Sequence, residues 1–323
     1  MSDWQPNASI EMLKARAKFV TSIRQFFSDR EVLEVETPLL SNGTITDVHL
    51  DAFSCSFPHH YSGQDKTLYL QTSPEFAMKR LLCAGSGPIY QICKSFRNET
   101  AGRYHNPEFT MLEWYRPDYD DVKLMAELDL LLQQVLNVNP AISLSYQQAF
   151  LDYLEIDPLS ASFDEIKIKV TEFSQDDWLM QETSKDTLLQ WLFSMYIEPH
   201  LGDDQTPCFV YHFPATQASL AKINQQDNRV AHRFELYFRG IELANGFYEL
   251  QDANEQALRF EKDNQQRQSL NLPTKPVDEL FLAALKHGLP DCAGVAMGLD
   301  RLFMLQQNLC HIEQALSFDV NRA

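Results

Sequence analysis

Between positions 10 and 29 the apolar residues fall at Met12, Leu13, Phe19, Val20, Ile23, Phe26 and Phe27, the three-and-four spacing of an amphipathic helix. Residues 34–40 read as an extended segment around Pro38, and 68–70 as a short strand. Residues 74–82 open on Ser-Pro-Glu and are predicted helical, because a first turn tolerates the missing N–H of proline. Residues 89–96 and 109–115 predict two strands, and the intervening 97–108, carrying Asn, Gly, His and Pro, reads as the loop between them. Residues 122–136 form a leucine-rich helical pattern, whereas 143–201 show scattered short helical patterns and few turn glycines and read as a helical insertion. A strand at 208–213, two more around Gly240 within 233–250, helices at 254–268 and 278–286, a short strand at 295–297 and a final helix from Asp300 complete the pattern. Several strands with little β-α-β alternation predict an α+β fold on a mostly antiparallel sheet flanked by helices.

Length and charge narrow this. At ~100–200 residues per domain, 323 residues allow one large domain or two ordinary ones. No stretch approaches the ~18 consecutive apolar residues of a membrane span, and the start, Met-Ser-Asp-Trp-Gln-Pro, lacks the basic and apolar regions of a signal peptide. No membrane association is expected, and the expected location is the cytoplasm. The formal net charge of −18 argues against broad nucleic-acid binding, which needs a basic face, although Lys79, Arg80, Lys94, Arg97 and Arg103 form a local basic stretch. The six cysteines, at 55, 83, 93, 208, 292 and 310, include no C-x-x-C pair and read as reduced thiols.

Four segments carry chemistry. The first is Phe96-Arg97-Asn98-Glu99, followed by Arg103-Tyr104-His105-Asn106-Pro107-Glu108-Phe109. A guanidinium binds phosphate oxygens in a fixed fork, a carboxylate accepts from an adenine amino group, and Phe109 can stack on the base; a salt-bridge cluster on a hairpin would look the same. The second is Gly294-Val295-Ala296-Met297-Gly298-Leu299-Asp300-Arg301, where glycines before a helix start let a ligand approach the backbone and Arg301 lies at the positive helix end. Close packing alone also accounts for such glycines. The third is Glu235 with Glu242, seven residues apart across a strand–turn–strand, able to share one Mg²⁺ with ATP phosphates or simply to face solvent. The fourth is a set of acids among apolar and aromatic residues: Glu75, Glu113 with Tyr115, and Glu249. Partly buried acids need cationic partners, and a ligand with two ammonium groups would supply them.

Taken together these residues resemble the lysyl type of the class II aminoacyl-tRNA synthetases. The segment from Phe96-Arg97-Asn98-Glu99 to Phe109-Thr110-Met111-Leu112-Glu113-Trp114-Tyr115 is similar to motif 2, Gly298-Leu299-Asp300-Arg301 to motif 3, and Val35-Glu36-Thr37-Pro38 to motif 1. Glu242-Leu243-Ala244-Asn245-Gly246-Phe247-Tyr248-Glu249-Leu250 resembles the segment closing the amino-acid pocket, and Ser73-Pro74-Glu75 the start of the pocket helix. The resemblance runs from about residue 10 to the last residue and implies one catalytic domain over 1–323, with the insertion at about 143–201 inside it. It implies ATP as co-substrate and Mg²⁺ as cofactor. Arg97 would hold the α-phosphate and the substrate carboxylate, and Glu99 would read adenine with Asn98 and Asn106 nearby and Phe109 stacked on the ring. His105 and Arg301 would hold the outer phosphates, Glu235 and Glu242 would ligate Mg²⁺, and Leu243 and Gly298 would let ATP lie against the backbone. Ser73, Pro74 and Glu75 would meet the amino group near the carboxylate, Glu113, Tyr115 and Glu249 the side-chain ammonium, and Asn245, Phe247 and Ala296 would line the pocket. Arg97 and Arg301 are the implied catalytic residues, and motif 1 implies a homodimer.

Two departures redirect the acceptor. The motif 1 helix starts within about ten residues of Met1, leaving no room for the N-terminal anticodon-reading domain of a lysyl-tRNA synthetase, and the charge of −18 also argues against tRNA. Ala296 stands where lysyl enzymes usually carry glycine, and a methyl on a pocket wall is worth roughly 1–3 kcal/mol in discrimination. It either selects a lysine isomer with a displaced amino group or is a neutral packing change. This combination resembles the bacterial lysyltransferase family that adenylates (R)-β-lysine and transfers it to a lysine ε-amino group of elongation factor P. A lysyl-adenylate former acting on tRNA or another acceptor, and a non-catalytic synthetase paralogue that senses an amino acid, are the competing readings.

Overall fold

Helix α1 (Ile10–Ser28) is capped by Ser9, whose side chain accepts from the Met12 N–H, and it buries Phe19, Ile23, Phe26 and Phe27 along one stripe. The computed structural model describes residues 4–59 and 64–323; residues 1–3, where the polar start of the chain begins, lie outside the described residues. The segment around Pro38 makes only two brief pairings, β1 (Leu33–Glu34) and β2 (Leu40–Ser41). Strands β3 (Ser54–His59) and β4 (Gln64–Leu70) complete a small antiparallel sheet in the order β2-β4-β3. Neither β3 nor the first half of β4 is foretold by pattern, because Ser54 through Pro58 are all exposed and no apolar face marks the strand. Helix α2 (Glu75–Cys83) follows Pro74, and then β5 (Ile89–Phe96) and β6 (Glu108–Pro117) pair antiparallel.

Residues 120–249 form a compact unit of their own. Helix α3 (Asp121–Leu136), capped by Asp120, precedes β7 (Ile142–Ser145), which opens the stretch expected to be wholly helical. Helices α4 (Tyr146–Leu154), α5 (Phe163–Phe173), α6 (Asp177–Gln181) and α7 (Lys185–Leu192) then carry the chain to β8 (Cys208–Tyr211), parallel to β7. A parallel partner requires such a crossover. The helices bury Tyr146, Phe150, Ile166, Leu188 and Phe193 against Val210 and Phe213, so they pack on the strands of their own unit. Strands β9 (Arg233–Phe238) and β10 (Ile241–Tyr248) form a hairpin turning at Arg239 and Gly240, both with positive φ, as a two-residue primed turn requires. A Cβ at Gly240 would also lie 2.9 Å from the Pro199 backbone. The strands run in the order β10-β9-β8-β7.

The chain then returns to the first unit with α8 (Ala253–Ser269), α9 (Glu279–Gly288), β11 (Cys292–Gly298) and α10 (Leu299–Gln306). Strand β11 is longer than the three residues its pattern suggests and pairs antiparallel with β6, giving the order β1-β5-β6-β11. One face of these strands receives α1: Phe27 stacks on Tyr90 at 4.4 Å and meets the edge of Trp114 at 5.3 Å. Phe19 packs on Phe303 of α10 at 5.3 Å. Mixed but mostly antiparallel strands with helices on their faces make the fold α+β. All six cysteines are free. Among the described residues no helix is long and apolar enough to cross a membrane.

Candidate functional site

Residues directly opposite in an antiparallel pair share a face of the sheet, and register therefore decides what lies beside Glu113. Gln91 of β5 and Ala296 of β11 flank Glu113 on β6; Ile89 and Gly294 flank Tyr115; Cys93 and Gly298 flank Met111. Trp114 and Leu112 point the other way, toward α1. From Met111 to Tyr115 the face bearing Glu113 is thus bordered on β11 by Gly294, Ala296 and Gly298, none larger than alanine. At Gly298 a Cβ would meet nothing nearer than the Arg301 side chain at 3.8 Å, so no protein neighbour demands glycine there.

Glu113 is almost wholly buried. Tyr115 donates its hydroxyl to one carboxylate oxygen at 2.7 Å, and Ser73 donates to the other at 2.8 Å. Ser73 in turn accepts from the Glu75 N–H at 3.0 Å, tying the start of α2 to the same carboxylate. Burial, and after it the negative charge of Glu75, push the Glu113 carboxyl up to about 8, against the hydrogen bonds of Tyr115 and Ser73 and the charge of Lys79. Glu75 is itself engaged by the buried Lys79, Nζ to carboxylate 2.6 Å, at the i,i+4 spacing of a helix-face pair. The recess beside Glu75 is lined by Thr44, Thr72, Ser73, Pro74, Arg80 and Asp278.

The 97–108 loop is held at several points. The Arg97 guanidinium lies 5.3 Å from the centre of the Phe109 ring, and the Glu99 N–H donates to the Arg97 carbonyl at 2.9 Å. Arg301 donates through Nε to the Tyr104 carbonyl at 3.1 Å, and its Nη2 lies 2.7 Å from His105 Nε2, so the two residues expected at the outer phosphates are neighbours. Asn98 donates to the Asp51 carboxylate at 3.0 Å. The Asn106 amide is taken up by the Glu108 carbonyl and the Val320 N–H, which makes it a fastener of the loop. Asp300, one residue before Arg301, is buried and accepts from the Thr110 N–H at 2.7 Å and from Arg16, fixing α10 to β6 and α1. Spacing assigns Asp300 no role beyond membership of the motif, because its partners are remote in the chain.

In the second unit, Glu235 pairs across the hairpin with Asn245, Tyr237 with Glu242, and Arg233 with Phe247. The register shifts between Glu242 and Ala244, so Leu243 is the extra residue of a β-bulge. Without it Glu242 and Asn245, three apart, would point to opposite faces; with it Glu242, Asn245, Phe247, Arg233 and Glu235 share one. Glu235 is buried between Arg233 and the Tyr237 hydroxyl, both of which donate to it. Burial raises its pKa, the Arg233 guanidinium opposes the rise, and the Glu242 carboxylate adds to it. The two carboxylates on one face are of the oxygen-donor type that Mg²⁺ takes, and both Glu235 oxygens already accept from Arg233 and Tyr237. Asn245 accepts from Arg233 Nε at 3.3 Å. Phe247 packs on Ala218, Ala221 and Ala231, and the almost fully buried Glu249 bridges to Ala221.

The same unit brings together Asp121, His212 and His232, three residues that no spacing in the chain associates.

Residues 2–322 match the family described as tRNA synthetases class II (D, K and N). The chain is 57% identical over its whole length to a protein of Proteus mirabilis, 56% to one of Pectobacterium carotovorum and 55% to one of Edwardsiella ictaluri, covering 99% of each; all three are named elongation factor P--(R)-beta-lysine ligase. With these likenesses and an α+β fold of mostly antiparallel strands, the chain belongs to the class II tRNA synthetase family of D, K and N type, in which it is an ATP-dependent ligase.

Proposed function

We propose that the enzyme activates (R)-β-lysine with ATP and transfers it to a lysine ε-amino group of elongation factor P. The observation that carries this reading is Glu113, a buried carboxyl with two neutral hydrogen-bond donors, beside the small residues Gly294, Ala296 and Gly298 on the facing side of β11. Lys79 offsets the Glu113 charge only in part, as the raised proton affinity of that carboxyl records, and a ligand ammonium is the natural complement. The names of relatives at 55–57% identity support the isomer and the acceptor.

In the first step a substrate carboxylate oxygen attacks the α-phosphorus of ATP, the bond from that phosphorus to the bridging oxygen breaks, and pyrophosphate leaves. In the second the acceptor amine attacks the acyl carbon, AMP leaves, an amide forms, and the amine gives up a proton to solvent. No protein nucleophile is required, so positioning and charge neutralisation carry the rate. Arg97 orients the substrate carboxylate and the α-phosphate, with Phe109 beneath the adenine and Glu99 on its amino group. Arg301 and His105, already paired with each other, receive the outer phosphates. Glu235 and Glu242 would hold Mg²⁺, which when bound offsets phosphate charge. Glu75, Glu113 and Tyr115 receive the substrate's ammonium groups; Glu249, Asn245 and Phe247 are assigned to substrate binding by the resemblance to the lysyl enzymes alone. Association as a homodimer through the motif 1 region is part of the same reading, checked by sedimentation.

The test is incubation with ATP, Mg²⁺, each lysine isomer and elongation factor P, read by intact mass. A β-lysyl addition to the factor is the expected result. Transfer to tRNA with none to the factor overturns the acceptor, and absence of ATP–pyrophosphate exchange with every isomer overturns the activity.

A further inference from the structure

We propose that Asp121, His212 and His232 bind one late first-row divalent ion, with zinc as the type. Asp121 lies in the first turn of α3, His212 immediately follows β8, and His232 immediately precedes β9. One ligand atom from each lies within 4.8 Å of the other two. Tetrahedral zinc with bonds of ~2.0–2.1 Å asks for ligand atoms about 3.3 Å apart. His232 Nδ1 is already 3.0 and 3.2 Å from the two carboxylate oxygens of Asp121. The two sides to His212 are each no longer than 4.8 Å, so closing them needs a movement of no more than about 1.5 Å, within reach of a side-chain rotation.

The surroundings are built to hold this arrangement. The His212 N–H donates to the Arg233 carbonyl at 3.0 Å, and the His232 N–H to the Lys222 carbonyl at 2.8 Å, so both imidazoles hang from paired backbone. The rings stand 5.8 Å apart at 79°. His212 has φ +60, a left-handed conformation uncommon for a residue with a side chain and found preferentially where function holds it. Asn224 accepts the Gln226 N–H at 2.8 Å through Oδ1, which turns its amide nitrogen toward His212 Nε2 at 3.4 Å. A neutral His212 then accepts at Nε2 from that amide through a long contact, which a metal ion could displace. Asp121 is buried while both histidines remain half-buried, leaving an approach for the ion.

Imidazole nitrogen with one carboxylate suits zinc, cobalt, nickel or copper, and not magnesium, which prefers an all-oxygen set. The site is thus chemically separate from Glu235 and Glu242 and does not depend on the catalytic reading. An ion here would tie the start of α3 to the paired ends of β8 and β9, which lie far from it in the chain.

The full-length protein, stripped with chelator and returned to buffer with excess Mg²⁺, is titrated with Co²⁺. Visible d–d absorption saturating at one equivalent, removed by Zn²⁺, together with a Tm raised by one equivalent of Zn²⁺, is expected. His212→Gln and His232→Gln should each weaken Co²⁺ binding more than tenfold. Asp121→Asn, which keeps the size and polarity beside His232, should also weaken it at least tenfold and guards against a histidine variant that does not fold. Absence of saturable absorption, or absorption that survives these substitutions, overturns the site.

Discussion

If Glu113 receives a substrate ammonium, amino-acid binding must drive a proton off the enzyme. In the free protein the carboxyl titrates near 8, chiefly because it is buried and secondly because Glu75 is charged beside it. At pH 7 about one-tenth of the molecules carry Glu113 ionised, so binding an ammonium there releases about 0.9 proton. Apparent affinity scales with the ionised fraction, which rises from about 3% at pH 6.5 to roughly three-quarters at pH 8.5, a gain of about 25-fold. A substrate side-chain ammonium with an ordinary value near ~10.4 remains charged throughout. Titration calorimetry in buffers of different ionisation enthalpy reads the proton count directly, and the dissociation constants across pH 6.5–8.5 read the slope. Glu113→Gln should bind roughly ten- to a hundredfold more weakly, the loss of a hydrogen bond to a charged group worth ~1.5–3 kcal/mol, and should show neither proton release nor pH slope. Affinities equal within twofold at the two pH values, or the same slope in Glu113→Gln, would refute the assignment.

Three further outcomes follow from the packing and the site, and a fourth from the same carboxyl. Arg301→Ala should lower ATP–pyrophosphate exchange by roughly 10²–10³, the scale of removing one preorganised donor, with unchanged far-ultraviolet circular dichroism. Gly246→Ala would place a methyl 2.3 Å from Cζ of Phe234, its cross-strand partner, and should cost about 1–3 kcal/mol in urea unfolding, partly restored by adding Phe234→Leu. Ala296→Gly should raise exchange activity with α-lysine relative to β-lysine by roughly 5- to 150-fold; an unchanged ratio would make Ala296 a packing residue only. Stability carries the opposite pH sign to binding. The unfolded chain gives up the Glu113 proton near 4.5 and the native state only near 8, so the native state binds more protons between them and stability falls as pH rises through that window. Glu113→Gln should therefore gain stability over the parent from pH 5 to pH 8, measured by urea midpoints.

Elements with a one-sided apolar period are legible in the amino-acid sequence alone. Helix α1 is the clearest, since Phe19, Ile23, Phe26 and Phe27 are both the pattern and the buried stripe. Strands β3 and β7 are not, for different reasons. Ser54 through Pro58 are exposed throughout, so no alternation exists to be read. Ile142–Ser145 pairs with Cys208–Tyr211, and local spacing says nothing about a parallel partner so distant in the chain. The acids of the site stand out as acids among aromatics, and their near partners lie at helix and strand spacings, Lys79 four from Glu75 and Arg233 and Tyr237 two from Glu235; the remote ones, Ser73 on Glu113 and Arg16 on Asp300, do not. The bulge at Leu243 is hidden because a period of two does not reveal which residue is extra.

Register also turns two separate sequence observations into one. Gly294, Ala296 and Gly298 read as a glycine-rich approach to a helix, and Glu113 with Tyr115 as buried polar residues on another strand. Paired, they become adjacent rows of a single surface, Gly294 beside Tyr115, Ala296 beside Glu113 and Gly298 beside Met111. Opposed residues in such a pair have side chains about 4.5–5.5 Å apart, so any group larger than a methyl at 296 would occupy space above the Glu113 carboxyl. Of Gly294, Ala296 and Gly298 only Ala296 has a side-chain carbon, and it sits next to the acid; Cys292, the fourth residue on that face, lies opposite Pro117. If a ligand ammonium meets Glu113, that methyl is the β11 side-chain carbon opposite it, whereas nothing equivalent stands at 294 or 298. The single departure from the glycine pattern therefore lies where a shift in the position of an amino group would be felt most.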